Sequence, residues 1–263
     1  MTRAAWLPWV LAGLAPVVAQ SACADLTVLS MPDIRVNSTQ EVGAGDFVPT
    51  AAEKTYQVEG FCRVSAVATP TADSVIHFEV WIPSAARWNR KLLGTGNGGF
   101  AGSINYAAMV SALARGYAAV GSDTGHTGDQ MEFGDGHPQK VIDWAYRAVH
   151  VTTQAAQNIV RSYIGAAPAH SYFQGCSTGG QQALSEVQRF PEDYDGVVAG
   201  APGNDRIRLI LGFLWSWSAL HDSQGKPLLN VSQLSRLTRE VTEQCDGADG
   251  LRDGLVSDSR RCR

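Results

Sequence analysis

The sequence lacks the marks of a nucleic-acid-binding or membrane-spanning protein. It has no run of Lys or Arg, and its 263 residues carry a net charge of -4 at pH 7, so its composition does not favour a polyanionic partner. The apolar segment 4–18 is shorter than the about 20 residues that a transmembrane helix needs. Because Arg3 precedes this segment and small residues follow it, we interpret residues 1–22 as a secretory signal peptide. We expect a secreted or periplasmic protein, with no membrane association after cleavage.

Cysteine is scarce and odd in number: the sequence has Cys23, Cys62, Cys176, Cys245 and Cys262. An exported chain can form disulfides, but five cysteines cannot all pair within it. A lipoprotein role for Cys23 is not favoured, because Gln20 stands where an aliphatic residue is expected.

The stretch 171–183 has the pattern of a nucleophile elbow. A short aromatic segment leads into Gly175-Cys-Ser-Thr-Gly179, and a helical pattern begins on the glycines that follow. Such a strand-to-helix turn exposes the serine hydroxyl, and the N-terminal N–H groups of the helix face any negative charge that develops beside it. Ser177 is therefore the candidate nucleophile, and the backbone N–H of Thr178 is a candidate oxyanion donor.

The elements around the elbow predict an α/β protein. Residues 196–202 read as the next strand, and a strand, helix and strand in this order predict a right-handed crossover in a mostly parallel sheet. Further strands are expected at 76–82, at 91–94 and at 116–121, with helices at 105–115, 139–164 and 232–242. Residues 25–69 read as short strands, with turns at 37–39 and 43–45.

A glycine cluster, 94–102, lies between a predicted strand and a predicted helix. Its spacing does not fit a dinucleotide loop, and no acidic residue at the end of a following strand completes that fingerprint, so we expect no organic cofactor. In an α/β-hydrolase this loop supplies the second oxyanion N–H. We expect Gly98 or Gly99 to supply it; a flexible glycine turn is the alternative.

Candidate acid and base partners are few. Asp123 and His126 precede Ser177, whereas the acid and histidine of an α/β-hydrolase follow the serine, so we expect both to shape the floor of the site. His150 is expected to be a core histidine on its helix. Only His221 follows Ser177, and we therefore expect a truncated chain that lacks two members of a catalytic triad and is catalytically impaired.

Several of these segments together resemble one known family. The segment 175–180, followed by Arg189-Phe-Pro and by 194–202, resembles the tannase and feruloyl esterase family, which includes the mono(2-hydroxyethyl) terephthalate hydrolases. The segments 93–100, 122–128, 146–150 and 246–250 agree with it. The resemblance implies an incomplete α/β-hydrolase fold, with residues 23–205 as the N-terminal part of the catalytic domain and 206–263 as the start of a lid inserted after the strand that follows the elbow.

The resemblance also implies a function and a set of structural residues. It implies a secreted serine carboxylesterase that forms an acyl-enzyme with small-molecule or polysaccharide-linked esters of aromatic acids. It pairs Cys23 with Cys62 and Cys245 with Cys262, and the family partner of Cys176 is absent. For the aromatic side chains of 207–220, which include Phe213, Trp215 and Trp217, packing in the lid is the favoured interpretation and contact with a phenolic acyl group the alternative.

The acidic, glycine-rich segment 245–255 suits a hard cation, because carboxylates and carbonyls are the ligands that calcium prefers. It is not an EF-hand. The resemblance implies a structural calcium site, with the side chains of Asp246, Asp249 and Asp253 and the carbonyls of Leu251 and Leu255 as ligands. A solvated acidic turn is the alternative.

Two other functions remain open from the sequence. The chain could be a non-catalytic or remnant product that at most binds aromatic ligands, or a lipase or peptidase on the same scaffold.

Overall fold

A computed structural model describes residues 21–49 and 54–262 of the chain. The predicted signal peptide lies outside these residues except for its last two. The described residues form two compact units, one ending at Asn204 and the other beginning at Asp205. None of the described helices is long and apolar enough to cross a bilayer.

The first unit is built on a seven-stranded sheet with the strand order β1-β4-β5-β7-β6-β8-β9, and a separate two-stranded sheet pairs β2 with β3. Neighbours from β1 to β7 in this order run antiparallel, whereas β7, β6, β8 and β9 run parallel. The strands are β1 (Ile34–Val42), β2 (Gly45–Phe47), β3 (Tyr56–Val58), β4 (Phe61–Ala68), β5 (Ile76–Pro83), β6 (Lys91–Thr95), β7 (Ala118–Ser122), β8 (His170–Cys176) and β9 (Gly196–Gly200).

Helices cover both faces of this sheet. The helices of the first unit are α1 (Tyr106–Ala114), α2 (Pro138–Ile142), α3 (Ala148–Ile164) and α4 (Thr178–Arg189). One core cluster joins Ile159 and Val160 of α3 to Phe78, Leu92 and Val120 of the sheet. A second cluster joins Met109 and Leu113 of α1 to Trp81 and Leu93. The apolar alternation of the strands therefore places buried side chains on both faces, as in other α/β proteins.

Three loops meet at the carboxyl edge of the parallel strands. They follow β6, β7 and β8, and they contain the glycine cluster, the segment 123–128 and Ser177. Because β6 lies between β7 and β8 in the sheet, the loop after β6 is the neighbour of both others. Ligands of open α/β sheets bind at this edge.

The structure corrects three details of the predicted elements. The short strands expected from residue 25 begin only at Ile34, because the chain first forms a 3-10 helix, Cys23–Val28. The turn predicted at 37–39 is wrong: these residues lie inside β1, where the register with β4 shifts between Val36 and Ser38. An edge strand accommodates such a bulge and the polar residues beside it. The helix predicted over 139–164 is interrupted by one π-helical turn, Asp143–Arg147, in which Arg147 Nε donates to Asp143 Oδ1 at 2.6 Å.

The second unit contains the helices α5 (Arg206–Leu220) and α6 (Val231–Cys245). A capping box of Asn230 and Gln233 marks the N-terminus of α6, where the two side chains bond to free backbone N–H groups. The aromatic side chains Phe213, Trp215 and Trp217 are 60%, 75% and 52% exposed, so the expected packing in a core is not found among the described residues. Two helices alone offer too little surface to cover three such rings.

Both expected disulfides are present. Cys23 pairs with Cys62 at a Cα–Cα distance of 5.6 Å, which ties the start of the described chain to β4. Cys245 pairs with Cys262 and closes a loop in the second unit. Cys176 is free and exposed.

A buried ion pair connects β4, β5 and α1 in the first unit. Glu79, only 4% exposed, accepts hydrogen bonds from Arg63 Nε at 2.8 Å, Trp81 Nε1 at 2.8 Å and Tyr106 Oη at 3.0 Å. The hydrogen bond to Glu79 raises the pKa of Arg63. These donors satisfy the carboxylate of Glu79. If Glu79 loses its charge, the buried guanidinium of Arg63 has no opposite charge beside it.

We predict that Glu79→Gln lowers the free energy of unfolding by roughly 3 kcal/mol or more, because breaking a buried pair costs more than the pair itself contributes. Glu59 pairs with Arg87 at the surface, and Glu59→Gln is the matched control, with an expected loss of at most about 1 kcal/mol. Urea denaturation of both variants measures the difference. Equal losses would show that the buried network does not stabilise the fold.

Candidate active site

Ser177 occupies a sharp turn between β8 and α4. Its φ of +60° and ψ of −116° lie outside the regions that a serine ordinarily adopts. The turn is held by a hydrogen bond from Ser177 N–H to the carbonyl of Gly200 at 3.0 Å. Ser177 is exposed, so the structure places the predicted nucleophile at the rim of the sheet, where an elbow presents it.

Glycine is required on both sides of this turn. A Cβ on Gly175 would lie 2.4 Å from the carbonyl carbon of Gly179, and a Cβ on Gly179 would lie 2.9 Å from the carbonyl oxygen of Asn97. Backbone therefore packs directly against backbone where β8, α4 and the glycine cluster meet. Only residues without a side chain permit this approach.

The glycine loop, which we define as residues 96–101, is bonded to the first turn of α4. Thr178 Oγ1 donates to the carbonyl of Gly99, and Gly179 N–H donates to the carbonyl of Asn97 at 2.8 Å. Gly98 and Gly99 are exposed, and neither of their N–H groups donates a hydrogen bond to a described residue. The structure thus brings the predicted donors Thr178, Gly98 and Gly99 into one bonded assembly beside Ser177.

A cavity of about 1060 Å³ opens beside the glycine loop in the first unit. Gly98 and Gly99 line it, together with Tyr56, Tyr106 and Asp129 among others. Its lining is partly polar and partly apolar, as in small-molecule sites in general, and neither Ser177 nor Thr178 is among the lining residues.

Asp123 and His126 belong to the loop after β7, and neither forms a hydrogen bond with Ser177. Asp123 accepts from the N–H groups of His77 and Gly125 at 3.0 and 2.8 Å, and burial raises its pKa to about 7. His126 stacks on Phe133 with ring centroids 3.8 Å apart, and burial lowers its pKa. Their contacts are with their own loop and its neighbours, and their role in shaping the floor of the site stays a prediction.

Other histidines of the first unit are also engaged away from Ser177. His137 contacts Asp73, His150 contacts Asp193 and His170 contacts Asp195. In the second unit, His221 Nδ1 bonds to the backbone carbonyl of Trp217. None of the hydrogen bonds and ion pairs given above for these described histidines reaches Ser177.

A buried polar cluster lies at the far end of α4. His150 Nδ1 lies 2.6 Å from Asp193 Oδ2, and its ring stacks on Phe190. Glu186, 1% exposed, faces this pair, and no donor reaches either of its carboxylate oxygens. The ligand atoms of the three side chains lie within 4.8 Å of one another, close enough to hold a metal ion. A proton on Glu186 neutralises the same cluster without a metal ion. Burial and the charge of Asp193 raise the pKa of Glu186 to about 8.

The predicted calcium ligands lie in one loop of the second unit. Asp246 Oδ1 accepts from the N–H groups of Asp253 and Gly254 at 3.1 and 2.9 Å. Asp249 accepts from Leu251 N–H and from the Ser257 hydroxyl, and the latter bond lowers its pKa. Leu255 N–H bonds to Asp253. The three carboxylates therefore lie in one folded loop, but among the described residues only His150, Glu186 and Asp193 form a group of side chains close enough together to hold a metal ion.

Sequence reasoning missed Gln182 and Glu186, which are each 1% exposed. A signal was present, because both lie on the face of α4 that also carries Gly179 and Ala183, spaced by three or four residues. A polar side chain on the buried face of an amphipathic helix needs a partner.

A serine at a tight turn, with a helix N-terminus and a glycine loop beside it at the edge of parallel strands, defines the α/β-hydrolase class. The solved structure of feruloyl esterase B from Aspergillus oryzae aligns with a TM-score of 0.85 and 32% identity, over 92% of this chain and 49% of that one. The tannin acyl hydrolase of Aspergillus niger aligns with a TM-score of 0.67 and 21% identity, over 91% of this chain and 46% of that one. This likeness supports the fold alone. The predicted fold class is confirmed.

Within that class, residues 62–263 match the family described as "Tannase and feruloyl esterase". The chain belongs to this family of carboxylic ester hydrolases, and the resemblance inferred from the sequence is confirmed.

Two relatives illustrate the extent of the match. An uncharacterized esterase of Xanthomonas campestris pv. campestris is 40% identical over 247 residues, which is 93% of this chain and 42% of the relative. A protein of Aspergillus flavus named "Probable feruloyl esterase B-1" is 34% identical over 273 residues, which is 97% of this chain and 51% of the relative. The chain spans about half the length of the curated relatives it matches.

We predict that stability falls as the pH rises from about 4.5 to about 8 through the titration of Glu186. Its pKa is raised from 4.5 in the unfolded chain to about 8 in the fold, so the folded state retains a proton that the unfolded state releases. Glu186→Gln keeps a neutral side chain at every pH and should flatten this part of the pH profile of unfolding. Glu192→Gln, in the exposed loop after α4, is the control. If Glu186→Gln leaves the pH profile of unfolding unchanged, the raised pKa of Glu186 is contradicted.

Proposed function

We propose that this protein is an exported serine carboxylesterase that hydrolyses esters of aromatic or phenolic acids. The observation that carries the proposal is the exposed Ser177 at the end of β8, next to a glycine loop whose N–H groups at Gly98 and Gly99 have no acceptor in the described chain. The name of the Aspergillus flavus relative and the description of the family support esters of ferulic acid or of tannins as the substrate class.

In the proposed reaction, the Ser177 hydroxyl attacks the ester carbonyl and forms a tetrahedral intermediate. The N–H group of Thr178 and that of Gly98 or Gly99 stabilise its oxyanion, a contribution of roughly 3 kcal/mol for each donor. The alcohol leaves, and water hydrolyses the acyl-enzyme. A general base must take the serine proton, and the histidine contacts of the first unit do not supply one.

The cavity beside the glycine loop supports an aromatic ester substrate. It has the size of a small-molecule site, and it reaches the loop that would hold the oxyanion. A substrate bound there could be a small ester or the end of a polysaccharide that carries a phenolic acyl group. Two disulfides support export, because structural disulfides persist in oxidising compartments.

The assay compares hydrolysis of a nitrophenyl ester and a feruloyl ester by the chain and by Ser177→Ala, each with and without added imidazole. Free imidazole can replace a missing base, and Ser177→Ala corrects for its solution reaction with the ester. We expect imidazole to raise the rate of the unaltered chain well above that of Ser177→Ala, and we expect similar rates without imidazole, because a serine and its base act as a unit. Equal rates of the two proteins in imidazole would refute the serine mechanism.

A second candidate function is the binding of aromatic ligands without turnover, which is favoured because no described histidine of the first unit bonds to Ser177. Saturable binding of ferulate, with no Ser177-dependent hydrolysis in either imidazole condition, would support it. A lipase or peptidase would differ in the ester or amide that it prefers.

We also propose a structural calcium ion bound by Asp246, Asp249 and Asp253, with the carbonyls of Leu251 and Leu255. The predicted result is that chelation lowers the melting temperature, because a ligand that binds only the folded state stabilises it. Asp246→Asn should lose both the bound calcium and the effect of chelator. Asp222→Asn, at an exposed turn of the same unit, is the control. No calcium by metal analysis, together with no chelator effect, would exclude the site.

A further inference from the structure

The contacts of α4 with the glycine loop depend on one buried side chain, Gln182. Both ends of its amide contact a single residue: Gln182 Oε1 accepts from Asn97 N–H at 3.1 Å, and Gln182 Nε2 donates to Asn97 Oδ1 at 3.1 Å. Gln182 is 1% exposed and Asn97 is 4% exposed. A buried amide is costly unless it is bonded, so this pair fixes the position of Asn97 relative to the helix.

Asn97 in turn bonds to the rest of the glycine loop and to the end of β7. Its Nδ2 donates to the carbonyl of Ser122, at the end of β7, at 2.8 Å, and to those of Ser103 and Ala101 at 2.7 and 3.2 Å. Its own carbonyl accepts from Gly179 N–H at 2.8 Å. The two ends of the glycine loop, the end of β7 and the start of α4 are therefore joined through one asparagine, which Gln182 holds.

The fit leaves little room for the loop to move toward the helix. A Cβ on Gly96 would lie 2.7 Å from Gly179 Cα and 3.3 Å from Gln182 Oε1, so backbone contact already limits the approach. Backbone contact prevents the glycine loop from moving closer to α4. Hydrogen bonds oppose its displacement along the helix. The amide pair of Gln182 and Asn97 supplies two of these bonds, and the Thr178 hydroxyl bonded to Gly99 supplies another.

We propose that Gln182 is a positioning residue that sets the placement of the glycine loop, so that its N–H groups at Gly98 and Gly99 face the Ser177 hydroxyl. The oxyanion part of this inference rests on the proposed function. The placement of the loop does not. An apolar residue of similar size would fill the same space on α4 without the desolvation of an amide, which is the reason to assign the amide a directional role.

The test replaces Gln182 with Leu, which keeps the volume and removes both bonds. Gln188→Leu, at an exposed position of the same helix, is the control. Amide hydrogen exchange is followed at Phe100, whose N–H bonds to Asp129, and at Gly179, whose N–H bonds to Asn97. Neither amide bonds to Gln182 itself, so both report on the loop. We expect roughly tenfold faster exchange at both in Gln182→Leu, the effect of losing about one net hydrogen bond, with amides of α3 unchanged.

The second readout is hydrolysis. A misplaced oxyanion donor weakens binding of the transition state more than binding of the substrate, so Gln182→Leu should lower kcat by about tenfold to a hundredfold with little change in KM. Gln182→Glu is the conservative variant. One of its oxygens can still accept from Asn97 N–H, and its other oxygen can donate to Asn97 Oδ1 only when protonated, so its defect should shrink as the pH falls.

The outcomes separate the two proposals. Unchanged exchange at Phe100 and Gly179 in Gln182→Leu overturns the positioning role, whatever the activity. Faster exchange with an unchanged kcat also overturns it, because the loop would then move without consequence for the reaction. If Ser177→Ala is as active as the unaltered chain, the proposed function fails, and the exchange measurement still decides whether Gln182 holds the loop. Should Gln182→Leu fail to fold, Gln182→Glu provides both measurements.

Discussion

The close approach of the glycine loop to the start of α4 is the constraint on which the rest of the site depends. Backbone meets backbone at Gly96, Gly175 and Gly179, where a single Cβ would collide with main-chain atoms. This contact fixes three things at once: the path of the turn that carries Ser177, the direction of the first helical N–H groups, and the position of the adjacent loop. Without it the serine would be an ordinary exposed hydroxyl, since nucleophile and oxyanion donors act only in a shared geometry.

Buried polar groups stabilise this molecule in two different ways. Glu79 receives bonds from Arg63, Trp81 and Tyr106, and such a satisfied network favours one arrangement of the strands and of α1. Glu186 faces Asp193 with no donor, so a proton is the simplest means of neutralising it. Glu79 is therefore a charged group held by hydrogen bonds to its neighbours, whereas Glu186 lies unbonded beside the His150–Asp193 pair and its charge depends on pH.

The fold explains how a chain that spans about half the length of its relatives can still contain a recognisable site. The elbow, the glycine loop and the loop after β7 follow neighbouring parallel strands, and each is held by contacts within the first unit. Hydrophobic clusters on both faces of the sheet support these strands. The geometry around Ser177 is thus a property of this unit, and the second unit has its own helices, disulfide and acidic loop.

The sequence alone determined the elements and the motif residues, because strand and helix periodicity, glycine spacing and the order around Ser177 are local properties. It predicted the parallel strands, the elbow, the glycine loop and, through family resemblance, both disulfides. It did not reveal that Asn37 lies within β1, because a bulge on an edge strand has no clear local signal. Only the tertiary structure decided that Gln182 bonds to Asn97 and that Glu186 faces Asp193, since each pair joins side chains from separate segments whose alignment depends on how α4 packs against its neighbours.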